Sequence, residues 1–208
     1  MENSFDTRAV NWDENPRRIE LIDHATKLIF KEIKIDKNQS VLDYGCGTGL
    51  LGYNLVEKAG NVTFCDSSSG MLEQVEKKRA FYGYKNVSIL NADLLTDDLP
   101  GKFNMIFSML VLHHVKNIPA LLEKFYNHLE EEGLFCWIDL DKEDGSFHNG
   151  DPIPHQGFEK EYLYQSVKKS GFEPFYYSTE LSMTREVNGI TRKYPIFILL
   201  SKKSKPIG

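Results

Sequence analysis

Three glycines, each separated by one residue, follow directly on a short apolar run: Ser40-Val41-Leu42-Asp43-Tyr44-Gly45-Cys46-Gly47-Thr48-Gly49-Leu50-Leu51. Glycine has no Cβ, so its backbone reaches positive φ and comes close to a ligand. A strand that turns through such a loop into a helix presents backbone amides to a nucleotide-like group. The spacing then narrows the choice. A dinucleotide fingerprint needs its third glycine where Leu50 stands. A phosphate-binding P-loop needs Gly-Lys-Ser/Thr, which the chain lacks.

A chain of 208 residues suffices for one substantial core and is short for two domains. With 41% hydrophobic and 26% charged residues, its composition is that of an ordinary globular protein. A formal net charge of −5 argues against a generic nucleic-acid binder, which needs a basic face. Small neutral or cationic substrates fit that charge better. No uncharged apolar run of ~18 residues is present, so no membrane span is expected. Met1-Glu2-Asn3-Ser4 lacks the pattern of a signal peptide. Cys46, Cys65 and Cys136 show no metal-ligand spacing, and the expected location is the reducing cytoplasm.

Asn15-Pro16 opens a helix expected over about 16–34, carried by apolar residues at helical spacing. Strands are expected at 40–44, 61–65, 87–91, 103–109 and 134–140. Helices are expected at about 48–58, 69–82, 118–129 and 158–169. Two closing strands, about 172–182 and 194–201, flank a polar turn at Asn188-Gly189. Alternating strands and helices imply a parallel sheet with right-handed crossovers. The last two strands are too close for a helical crossover and should pair antiparallel. The fold class is therefore α/β, a Rossmann-like doubly wound seven-stranded sheet, mostly parallel, with one antiparallel strand near the C-terminus and helices on both faces.

What remains of the glycine loop, Asp43-x-Gly45-x-Gly47-x-Gly49, resembles the first motif of class I S-adenosylmethionine-dependent methyltransferases. The region Leu112-His113-His114 resembles their small-molecule branch (types 11 and 12), and the Asn/Asp-Pro-Pro-Tyr/Phe motif of enzymes that methylate amino groups of nucleobases or glutamine is absent from Ser108-Met109-Leu110-Val111. The resemblance implies one domain over 1–208 that transfers a methyl group to a small molecule, as a monomer or homodimer. The other class of function open to an intact cofactor edge is a non-catalytic sensor or partner subunit that binds S-adenosylmethionine or S-adenosylhomocysteine.

Ligands of an open α/β sheet bind beyond the strands' carboxyl ends, where strand order reverses. By the resemblance, Asp43 holds the cofactor's ammonium, Gly45, Cys46 and Gly47 lie against it, and Asp66 accepts from both ribose hydroxyls with Ser67 beside it. Met71 packs on the adenine face, although a helical methionine is also simply core. Ala92, Asp93 and Leu94 surround the adenine amino group; Asp93 otherwise reads as a turn aspartate. Ser108, at the end of the fourth strand, completes this edge. Residues 1–18 should fold over the cofactor, with Trp12 against the sulfonium and Arg17 on the carboxylate. The 139–158 connection should close over the acceptor. His113, His114 and His155 are the candidate bases, or else cap and pack neighbouring helices. The acidic and histidine residues of 139–155 are irregularly spaced, so no metal is expected.

Overall fold

Asn15 accepts a hydrogen bond from the Arg17 N–H, and Pro16 fixes the first turn of helix α1, Pro16–Glu32. The chain then alternates through β1 (Ser40–Tyr44), α2 (Leu50–Val56), β2 (Asn61–Asp66), α3 (Ser69–Tyr82), β3 (Val87–Asn91), β4 (Phe103–Met109), α4 (Ile118–His128) and β5 (Leu129–Leu140). It closes with α5 (Lys160–Lys169), β6 (Phe172–Val187) and β7 (Ile190–Lys203). Short 3-10 segments cover Asp6–Glu14, Leu112–His114 and Ser146–His148. The structure is a computed structural model that describes residues 5–93 and 95–204.

One seven-stranded sheet runs in the order β3-β2-β1-β4-β5-β7-β6. β1 pairs in parallel with β2 on one side and β4 on the other, so strand order reverses at β1. β7 runs antiparallel to both β5 and β6. Successive β1 side chains feed opposite layers, as the two-residue period of a strand dictates. Val41 joins Ala25, Leu55 and Val75 of α1, α2 and α3. Leu42 joins Leu121, Phe125 and Leu163 of α4 and α5. Among the described residues no helix is long and apolar enough to cross a membrane.

Three boundaries depart from expectation for local reasons. α2 begins at Leu50, because Gly49 takes φ +85°. β5 starts at Leu129 and shifts register against β4 between the pairs Phe103–Leu129 and Met105–Leu134, with Glu132 at φ +63°. The closing hairpin is much longer than its apolar runs suggest, with Asn188 (φ +53°) and Gly189 (φ +74°) turning it. Two consecutive positive-φ residues are what a two-residue hairpin turn requires.

Candidate active site

The glycines of the β1 loop are glycines for different reasons. A Cβ on Gly45 would stand 2.4 Å from a Val111 methyl carbon, and one on Gly49 would stand 2.8 Å from the Phe64 ring. Gly47, at φ +54°, has nothing closer to such a Cβ than Trp12 Nε1 at 3.7 Å and Met71 Sδ at 3.9 Å. Packing therefore explains Gly45 and Gly49. Gly47 instead opens on a cavity of about 460 Å³ at the reversal point, lined by Trp12, Asp43, Gly47, Asp66, Met71 and His114 among others.

Two carboxylates define one wall. Asp43, 2% exposed, accepts the Gly52 N–H at 2.9 Å. Burial, helped by the nearby Asp66 charge, pushes its pKa up to about 7. Asp66 accepts the Gly47 N–H on Oδ2 at 2.8 Å and the Ser68 N–H on Oδ1 at 2.9 Å. Its pKa is also raised by burial, against those backbone hydrogen bonds. Both oxygens are thus held by backbone N–H groups while facing the cavity.

The segment Asp6–Glu14 lies along this wall. Asp6 Oδ1 accepts from the Ser68 hydroxyl at 2.6 Å and from the Gly70 N–H at 2.9 Å. Asp13 accepts from Thr48 Oγ1 and pairs with Lys78, each at 2.5 Å. These contacts set Phe5 and Trp12 against the cavity.

Gly45, Cys46, Ser67, Ala92 and Asp93 also line the cavity. The Ala92 N–H, expected beside the adenine, donates to the Asp66 carbonyl at 3.2 Å. Asp93 caps its own turn, accepting the Leu95 N–H on Oδ1 at 3.0 Å. Leu94 lies outside the described residues. Ser108 is fully buried and is not part of the lining; Met109, Leu110 and Val111 beyond it are. Arg17 is exposed, its N–H engaged in the helix cap, and Arg18 faces the cavity in its place. One residue rotates a helical side chain by about 100°, which the motif could not resolve. The Arg18 guanidinium stands 3.9 Å over the Trp12 ring and donates to the Trp12 carbonyl.

Of the three expected histidines, His114 alone reaches the cavity. Burial, then His113 and His148, hold its pKa down at about 4. His113 is buried with Nδ1 2.5 Å from Asp139 Oδ1. His155 latches the 139–158 connection: its Nε2 lies 2.9 Å from the Val115 carbonyl oxygen, and its N–H donates to the His113 carbonyl at 3.1 Å. The same connection is pinned at Gly157, where a Cβ would meet the Asp141 carbonyl oxygen at 2.1 Å. His148, which sequence spacing did not single out as a site residue, is brought beside His113 and His114.

Strand order, a single antiparallel strand and a glycine loop at the reversal point define the fold of class I S-adenosylmethionine-dependent methyltransferases. Residues 41–133 match the model of the methyltransferase domain family. The chain is similar to (S)-coclaurine N-methyltransferase of Thalictrum flavum subsp. glaucum, 28% identical over 140 residues, covering 66% of this chain and 38% of that protein. It is similar to the ubiquinone biosynthesis O-methyltransferase of Dechloromonas aromatica (strain RCB), 33% identical over 111 residues, covering 53% of this chain and 44% of that protein. It thus spans less than half the length of either curated relative. A crystal structure of coclaurine N-methyltransferase bound to N-methylheliamine and S-adenosylhomocysteine shares the fold, with a TM-score of 0.70 at 15% identity over 88% of this chain and 72% of that one.

Proposed function

We propose that this chain binds S-adenosylmethionine at the β1 reversal point and transfers its methyl group to a small-molecule acceptor. The observation that carries this reading is the surround of Gly47: an open Cβ position, the Asp66 carboxylate held by the Gly47 amide, and a half-buried tryptophan opposite. When bound, the cofactor supplies an electrophilic methyl on a sulfonium whose leaving group is neutral. The residues have correspondingly little proton chemistry to perform. Asp66 offers its carboxylate to vicinal hydroxyls, and Asp43 offers a buried carboxylate to an ammonium. Met71 and Trp12 bound the Gly47 opening, and Arg18 takes the carboxylate role first expected of Arg17. Asp93 keeps Oδ2 for an amino group. Residues of Asp6–Glu14 exclude water from the transfer, whereas no residue of the 139–158 connection lines the cavity.

The overall charge of −5 favours a neutral or cationic small acceptor over nucleic acid. Three buried unpaired cysteines support a reducing, cytoplasmic setting. Calorimetry tests the cofactor first: S-adenosylhomocysteine binds and NAD does not. Asp66→Ala removes hydrogen bonds to a charged group, worth about 1.5–3 kcal/mol each, and lowers affinity at least about tenfold. An unchanged affinity overturns the ribose role. A metabolite panel with labelled methyl donor then tests transfer. Tight binding with no transfer across the panel favours a sensor or partner subunit. Efficient methylation of RNA, DNA or intact protein overturns the acceptor class.

A further inference from the structure

Three imidazoles from two separate turns meet beside the cavity. His113 and His114 sit on the Leu112–His114 segment after β4, and His148 ends Ser146–His148 in the connection after β5. One nitrogen from each lies within 4.8 Å of the other two. Ring centroids are 4.1 Å apart for His113 and His114, and 5.0 Å for each of these with His148. Packing alone accounts for the rings but not for their nitrogens. Nε2 of His113 and Nε2 of His148 are both buried, with no hydrogen-bond partner among the described residues. Leaving a buried polar atom unpaired costs about 1–3 kcal/mol. Two such atoms in one cluster call for a shared electron-pair acceptor.

Asp139 sets the polarity of His113. Its Oδ1 lies 2.5 Å from His113 Nδ1 and accepts the Leu140 N–H at 2.8 Å, while Oδ2 accepts the His113 N–H at 3.2 Å. With Nδ1 donating to this acceptor, Nε2 is left with a lone pair and no partner among the described residues. A carboxylate behind an imidazole is the usual support of a histidine that ligates a metal. Imidazole donors suit zinc and its first-row neighbours, whereas calcium and magnesium want oxygen.

We propose that His113, His114 and His148 bind one divalent ion of the zinc type, with Asp139 orienting His113. Three protein nitrogens leave a fourth position for an exogenous ligand. Metal–nitrogen bonds of about 2.0–2.1 Å in tetrahedral geometry put the nitrogens about 3.4 Å apart. The cluster therefore closes by little more than an ångström, a displacement that His148 can absorb on its short turn, which Gly145, Asn149 and Gly150 flank at positive φ. The Arg185 charge acts on His148, and those of Asp151 and Asp139 oppose it. His114 both ligates and lines the cavity, so the ion borders the acceptor end. That last placement rests on the methyl-transfer reading; the site itself does not.

The test uses the untagged full chain, stripped with chelator, titrated with Co²⁺ by visible absorption and with Zn²⁺ by calorimetry. S-adenosylhomocysteine binding is measured in parallel. One Co²⁺ per chain with the intense bands of a four-coordinate ion, displaced by Zn²⁺, is the expected result. His148→Ala, shown to be folded by its thermal melt, loses the bands. Asp139→Asn weakens Zn²⁺ affinity by about 10–100-fold, and the exposed His24→Ala does not. A chain that binds S-adenosylhomocysteine but holds Co²⁺ and Zn²⁺ no better than His148→Ala overturns the metal site. Metal binding that depends on the three histidines, in a chain with no affinity for S-adenosylhomocysteine, supports the site and overturns the cofactor reading instead.

Discussion

Asp43 and Asp66 face one cavity, yet burial treats them unequally. Asp43, held up at about 7, is part-protonated at neutral pH in the ligand-free chain. Its raised value favours the protonated folded state, so the contribution to stability is complete below the ordinary carboxylate range and is lost as pH rises through about 7. A cationic ligand beside it favours the carboxylate instead. Binding of S-adenosylhomocysteine at pH 7 should then release a fraction of a proton. Calorimetry at pH 7 in buffers of different ionisation enthalpy measures this; a net uptake at that pH refutes it. The glycines divide in the same residue-by-residue way. Gly45→Ala should destabilise the fold by about 1–3 kcal/mol through its clash with Val111. Gly47→Val should largely keep the melting temperature, apart from the strain of its positive φ, while losing cofactor affinity. Denaturant melts and binding isotherms separate the two. The sequence makes the loop legible but not this division, because Val111 and Phe64 reach the glycines from other strands' ends.

Among the elements, the N-terminal segment Asp6–Glu14 is held through polar side chains. Asp6 ties it to α3, and Asp13 to Thr48 and Lys78. The anchors are polar, while the apolar layers lie elsewhere. Deleting residues 1–14 should therefore reduce methyl transfer more than it reduces thermal stability, with the parallel loss measured by turnover and by melting. Transfer at the parental rate would remove the segment from the mechanism. The strands and helices up to β4 were legible because their apolar periods are clean and Asn15, Ser68 and Asn117 cap helices as their side chains permit. The β6–β7 hairpin was legible in its antiparallel pairing and its Asn188-Gly189 turn but not in its length, because its outer half alternates polar residues on an edge where burial gives no period to read. His148 was legible as one of the polar residues of 139–155, but its meeting with His113 and His114 was not, for a related reason. Its partners stand on a different turn, and they meet through the long-range contacts that hold the connection, Arg185 to the Phe147 carbonyl, Ser146 to Tyr194, and the latch at His155 and Gly157.

At the scale of the molecule, reversal of strand order at β1 gathers residues from β1, β2, β3 and β4 at one edge. The places of Asp43, Asp66 and Met71 at the cavity were legible from the family resemblance, Asp43 next to the end of β1, Asp66 at the end of β2 and Met71 in the first turn of α3. Arg18 and Asp139 were not, since helix rotation and the β5 register decide where they point. The two tryptophans are split across this architecture. Trp137 is fully buried between Phe158 and Phe197, deep in the layer of α4 and α5. Trp12 is half-buried at the cavity, beneath the Arg18 guanidinium. The molecule thus carries its own optical gauge: one indole that reports the site and one that stays constant as an internal reference. Ligand titration should shift the emission of Trp12 to shorter wavelength as water leaves its face, and Trp12→Phe should abolish the change while the Trp137 signal remains. Occupancy can then be followed in real time without a label, in the same cuvette and at the same moment as the unfolding that Trp137 reports.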